Sequence, residues 1–195
     1  MIVGILALQG NFIQHKKFVD KIGVQNILVR HPNEINQCDS LIMPGGESTS
    51  ISKQIDNNQF RKKLIEFALA KPILGTCAGM IMLSTSMPRA NMSPLNIMDF
   101  HIERNAWGSQ VNSFSANINL NFDENRPFHA IFIRAPKISK IGKDVHVLAT
   151  FDGEPVLLSN GMHIVSSFHP EIGEDYRIHE YFINNNVDET IPALS

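Results

Sequence analysis

Cys77 lies in Gly75-Thr76-Cys77-Ala78-Gly79, directly after the apolar run Ile73-Leu74. A nucleophile between glycines at a strand-to-helix turn is the G-x-nucleophile-x-G elbow, with cysteine where many hydrolases carry serine. The turn would lift the thiol out at the carboxyl end of a sheet, where open α/β sheets bind ligands. A thiolate there is favoured by the dipole of the helix it opens. A buried cysteine in a glycine turn would show the same spacing. His169-Pro170-Glu171 is the second candidate. The residue before a proline is driven to extended backbone, and residues i and i+2 of an extended segment point the same way. His169 could then act as a base with Glu171 as its orienting carboxylate, completing a Cys-His-Glu triad. A surface turn with incidental charges is the alternative. Pro44-Gly45-Gly46-Glu47-Ser48-Thr49 is the third. Its glycines let backbone approach a ligand, its N–H groups suit an oxyanion or carboxylate, and Ser48 or Thr49 could cap the helix that follows. A plain β-to-α turn reads the same way.

These segments need a frame. Residues 2–8, 26–30, 41–43 and 72–75 are short apolar runs that suit strands covered on both faces. Phe12, His15, Val19 and Ile22 recur at helical spacing before Gly23, and Phe60, Leu64 and Phe67 form a second helical stripe. Strands alternating with helices predict an α/β fold: a three-layer, open, mostly parallel sheet with helices on both faces. The second half reads differently. Residues 145–150, 155–158 and 162–168 are strand-like and are separated by Asp152-Gly153 and Asn160-Gly161, strong hairpin signals. They predict an antiparallel C-terminal meander that delivers the chain to His169. Residues 174–185 read as a helix and the tail from Val187 as a loose end. Residues 86–127 show no clear pattern.

The 195 residues suffice for one domain, 1–195, with a sizeable core, and no linker or repeat divides them. A formal net charge of -2 argues against a nucleic-acid partner. No apolar run reaches membrane-spanning length, and MIVGILALQG reads as a buried first strand rather than a signal peptide. Two cysteines, Cys38 and Cys77, make no disulfide framework. They fit a reducing, cytoplasmic setting in which a thiolate survives as a reagent. None of the eight histidines has a zinc-ligand spacing, so no metal is expected. Cys38 reads as a structural or surface thiol, His15 as a helix-surface residue, and Trp107 as packing.

Taken together, the cysteine elbow, the glycine loop and the late His-x-Glu resemble class I glutamine amidotransferases. Ala7-Leu8-Gln9-Gly10, Glu103-Arg104-Asn105, Gln110-Val111-Asn112-Ser113-Phe114, Ile133-Arg134-Ala135-Pro136 and Ser167-Phe168-His169-Pro170-Glu171 are similar, in order, to the glutaminase subunits of pyridoxal 5′-phosphate synthases. The resemblance spans nearly the whole chain. It implies Cys77 as nucleophile, His169 as base and Glu171 as orienter, with the N–H groups of Gly46 and Ala78 as an oxyanion hole. It implies L-glutamine as substrate, bound by Gly46, Glu47, Ser48, Arg104, Ile133 and Arg134, and no cofactor. Ammonia would pass to a synthase partner forming a dodecameric core, with one glutaminase per synthase subunit. Departures from the family pattern fall at Ser109, where an arginine is usual, at Asn112, where an aspartate is usual, and along 86–99.

Overall fold

The computed structural model describes residues 1–85, 92–103 and 113–185. Its centre is a seven-stranded sheet in the order β2-β1-β3-β4-β11-β10-β9. Strands β1 (Ile2–Leu6), β2 (Gln25–Val29), β3 (Ser40–Met43), β4 (Ile73–Thr76) and β11 (Ile164–Ser166) run parallel, while β10 (Glu154–Ser159) is antiparallel to both β11 and β9 (His146–Phe151). The predicted parallel half and antiparallel meander therefore share one sheet. Asp152 and Gly153 both take positive φ, 49° and 77°, the left-handed pair that closes a tight β9–β10 hairpin.

Alternation along the strands divides the apolar side chains between two cores. Leu41 and Met43 point to one face, where they meet Ile51 and Ile55 of α2 (Ser48–Asn57), Phe60, Leu64 and Phe67 of α3 (Phe60–Ala68), and α4 (Ala78–Leu83). Val3, Ile5, Ile42 and Leu74 point to the other, against Val19 of α1 (Phe12–Ile22) and Ile178 and Phe182 of α5 (Arg177–Asn184). Helices thus cover both faces, as the sequence predicts.

The stretch without a legible pattern contains strands. β5 (Phe100–Glu103) pairs with β8 (Lys137–Ile141), and β6 (Ser113–Leu120) forms a long antiparallel ribbon with β7 (Asp123–Ile133). The ribbon packs Ile118, Leu120, Phe128 and Phe132 into the α1–α5 core, and Phe132 meets Phe168 at 5.5 Å between ring centroids. It ends at Ile133, beside the cysteine elbow.

Two local readings are corrected and one is narrowed. Glu47, not Ser48 or Thr49, caps α2, because its carboxylate is long enough to accept from the N–H groups of Thr49 and Ser50 at 3.0 and 2.6 Å. Cys38, read as a structural or surface thiol, is the former: it is fully buried, packed beside Gly4. His15 is fully buried too, because the stripe it shares with Val19 faces the sheet.

Candidate active site

Cys77 stands where β4 ends and α4 begins, with φ 48° and ψ -102°. A non-glycine residue in that region is strained and persists only where its surroundings fix it. Here they do: Cys77 N–H donates to the Ser166 carbonyl at 2.8 Å, and Ile81 N–H donates back to the Cys77 carbonyl at 3.1 Å. The glycines permit the close approaches. A Cβ on Gly79 would lie 2.0 Å from the Met43 carbonyl oxygen, and one on Gly45 would lie 2.6 Å from His169 Cε1. The second contact shows how tightly the glycine loop packs against the histidine.

His169 reaches the thiol from the far end of the meander. Its N–H donates to Ile131 of β7 at 2.8 Å, which ties the histidine to the ribbon. Its Nδ1 lies 2.7 Å from Glu171 Oε1, and its ring shares the cleft with Cys77. The sequence reading paired the two residues through extended backbone. The pairing holds, but the segment is a turn closed by Ile172 N–H donating to the His169 carbonyl at 3.2 Å. Proline extends the residue before it but locks its own φ at a value that suits the second position of a turn, so the chain turns at Pro170 and Glu171.

Burial alone would lower the His169 pKa. The hydrogen bonds to Cys77 and Glu171, and the charges of those groups, outweigh it and hold the imidazole up, at about 10. Burial opposes the Glu171 charge, but the His15 and His169 rings and the Asn11 amide outweigh it and hold the carboxyl down, at about 2. Asn11 Nδ2 donates to Glu171 Oε1 at 3.1 Å. Cys38 is the opposite case: burial pushes its thiol up to about 11.

Cys77 and His169 open onto a cleft of about 380 Å³, within the range of small-ligand sites. Gly46, Glu47, Ser48, Ala78, Ile133 and Arg134 line it with them. Arg134 takes a positive φ of 45° at the ribbon's end. Ser48 Oγ is buried without a hydrogen-bond partner among the described residues, a group that a polar ligand in the cleft could engage. Glu171 sits behind His169, 1% exposed. Of the candidate site residues, Arg104 lies outside the described residues, and so do Trp107, Ser109 and Asn112. The sequence reading missed Asn11, Ile81 and Pro136, which also line the cleft. Asn11 could have been found from its place just after the Gln9-Gly10 break at the carboxyl end of β1. Among the described residues no group of three or more His, Cys, Asp or Glu side chains is placed to hold a metal ion.

This arrangement offers a cysteine sulfur, a protonated imidazole facing the same cleft, a buried carboxylate behind that, and first-turn helix N–H groups beside the sulfur. Comparison with known proteins gives the family. The pyridoxal 5′-phosphate synthase subunit PdxT of Thermosipho africanus is 44% identical over 187 residues, covering 94% of this chain and 98% of that protein. The PdxT subunit of Francisella philomiragia is 43% identical over 182 residues, covering 93% and 97%. A solved glutamine amidotransferase superposes with a TM-score of 0.88 at 36% identity, covering 96% of this chain and all of that one. The PurLQS structure from Thermotoga maritima, at 12% identity and a TM-score of 0.69, shares the fold. With a family model matching residues 5–188, the chain belongs to the SNO glutamine amidotransferase family.

Proposed function

We propose that this chain hydrolyses L-glutamine to L-glutamate and ammonia through Cys77, His169 and Glu171, and delivers the ammonia to a pyridoxal 5′-phosphate synthase partner. The observation that carries the reading is the convergence of three distant segments on one cleft: the elbow at 77, the glycine loop at 45–48 and the His169–Glu171 pair. In the proposed reaction the Cys77 thiolate attacks the side-chain carbonyl carbon. The N–H groups of Gly46 and Ala78 hold the oxyanion of the tetrahedral intermediate. His169 gives its proton to the departing nitrogen, and ammonia leaves a glutamyl thioester. His169 then takes a proton from water, whose oxygen attacks the thioester, and glutamate leaves with the thiol restored. Glu171 keeps the imidazole oriented and supports its charge. No metal or organic cofactor enters these steps.

Free glutamine carries an α-carboxylate and an α-ammonium, so its site needs donors and acceptors together. Arg134, the Ser48 hydroxyl and the Glu47 carboxylate are the candidates at the cleft, with Ile133 beside them and Arg104 added by resemblance. Glu47 also caps α2, so its substitution would disturb the loop as well as any ligand contact.

The relatives named as synthase subunits support a partner of that kind, and we take the assembly to be one glutaminase per subunit of a dodecameric synthase. Ammonia is mostly protonated near neutral pH, and ammonium is no nucleophile, so a donor is useful when its product moves directly to the acceptor. The test is glutamate production titrated with the cognate synthase. Release that rises with synthase supports the reading. Release from some other amide substrate, with none from glutamine, would point instead to a cysteine hydrolase on the same fold.

A further inference from the structure

Two histidines that the proposed reaction does not use lie directly behind the triad. His15 of α1 and His179 of α5 are each completely buried. His15 Nδ1 lies 2.8 Å from His179 Nε2. His15 Nε2 lies 3.2 Å from Thr76 Oγ1 and 3.5 Å from Glu171 Oε2. Thr76 Oγ1 in turn accepts from Gly45 N–H at 3.0 Å. One imidazole therefore touches the triad carboxylate and the hydroxyl that anchors the glycine loop.

Proton bookkeeping fixes the direction of these contacts. Burial lowers both imidazoles, His179 to about 3, so each carries a single ring proton near neutral pH. Glu171 Oε1 is occupied by His169 and Asn11, whereas Oε2 is buried with no hydrogen-bond partner among the described residues. If the His15 proton sat on Nδ1, the bare Nε2 lone pair would face that carboxylate oxygen. His179 would then bury an unpaired N–H, since its own Nδ1 has no partner. If the proton sits on Nε2, it points at Oε2 and Thr76, and His179 Nε2–H donates to His15 Nδ1. The orphan left is then a single ring lone pair, cheaper to bury than an orphan N–H beside two opposed lone pairs. The second arrangement wins.

We propose that His15, held in its Nε2–H form by His179, is a positioning residue of the glutaminase site, fixing the inner oxygen of Glu171 and, through Thr76, the Gly45-Gly46 loop. This rests on the glutaminase reading given above. The groups facing His15 are His169 and Glu171 of the triad, His179 of α5 and Thr76 of β4; Phe18 packs on His179 with ring centroids 5.1 Å apart. In this role His15 spans α1, β4 and the triad turn, so a shift of the first helix moves carboxylate and loop together.

The test uses the complex with the cognate synthase and follows glutamate release across pH. His15→Leu removes the donor at a position where leucine suits a helix. It is expected to lower kcat about tenfold, the lower end of what lost outer partners of an active-site imidazole cost, with KM for glutamine changed less than about twofold. The acid limb of the profile moves to higher pH, because Glu171 without that donor takes up a proton more readily. His15→Gln, whose amide N–H reaches nearly the same point, recovers most of the loss. His179→Phe, which keeps the ring packing but frees the His15 tautomer, shifts the profile the same way by less. A wild-type profile in His15→Leu, or a His15→Gln as impaired as His15→Leu, would overturn the inference. Should His15→Leu lack a cooperative thermal transition, His179→Phe decides by the same criterion: a shifted acid limb supports the role and an unshifted one overturns it. A wild-type complex inert toward glutamine would overturn the glutaminase reading, and this inference with it.

Discussion

At the residue scale, two buried cysteines differ in what surrounds them. Cys77 shares its cleft with an imidazole held protonated, while burial pushes the Cys38 thiol up to about 11. A glutamine-mimicking alkylator is therefore expected to label Cys77 before Cys38, read by peptide mass mapping near neutral pH. Base and nucleophile act as a unit, so His169→Asn should abolish glutaminase activity nearly as fully as Cys77→Ala, and Glu171→Gln should cost less. Stability also carries a signature of the pair. The folded chain holds His169 at about 10 against an ordinary 6.5. Its contribution is fully present below about pH 6.5 and is lost as pH rises toward about 10. The depressed Glu171 works in reverse, its contribution being present above about pH 4.5 and lost as pH falls toward about 2. The melting-temperature advantage of wild type over His169→Asn should thus shrink between pH 7 and pH 10, and a constant difference would refute the assignment. Cys77, His169 and the glycine loop were legible in sequence because backbone chemistry marks each of them: glycines around the nucleophile, proline after the base. His15 and His179 carry no such mark. His15 in particular falls in an apolar helical stripe, and only the fold shows that the stripe is buried against the triad.

At the element scale, the elbow depends on helix α4 lying flush against the end of β3. The Gly79 Cβ position, 2.0 Å from the Met43 carbonyl oxygen, leaves room for hydrogen only. Gly79→Ala must displace backbone rather than a flexible side chain. It is expected to destabilise by about 2 kcal/mol or more and to misplace Cys77, read as a lower denaturation midpoint with reduced activity. An unchanged midpoint would mean that the helix packs less closely than described. The central parallel strands β1, β3 and β4 were legible because both their faces are buried and their runs are largely apolar. The β6–β7 ribbon was not, since it buries a single face and β7 opens with Asp123-Glu124-Asn125-Arg126-Pro127, a polar stretch that reads as loop. That hidden ribbon still matters for the site, since it carries Ile133 and Arg134 to the cleft and holds His169 through Ile131.

At the scale of the whole molecule, the cleft lies at the carboxyl edge of the parallel strands, where the segments that follow β1, β3 and β4 bring Asn11, Gly46 and Cys77. A partner docked on that edge could cover the cleft and align the glycine-loop amides with the oxyanion. The isolated chain is accordingly expected to turn over glutamine slowly and to accelerate when its cognate synthase is added; a rate already maximal alone would refute this activation. No helix among the described residues is long and apolar enough to cross a membrane. The central claim is that Cys77 carries a glutaminase. It is tested most directly by glutamate release from glutamine, measured for wild type and Cys77→Ala side by side, each saturated with synthase. The account predicts steady release by wild type and none above background by the variant. Equal release by both would contradict it.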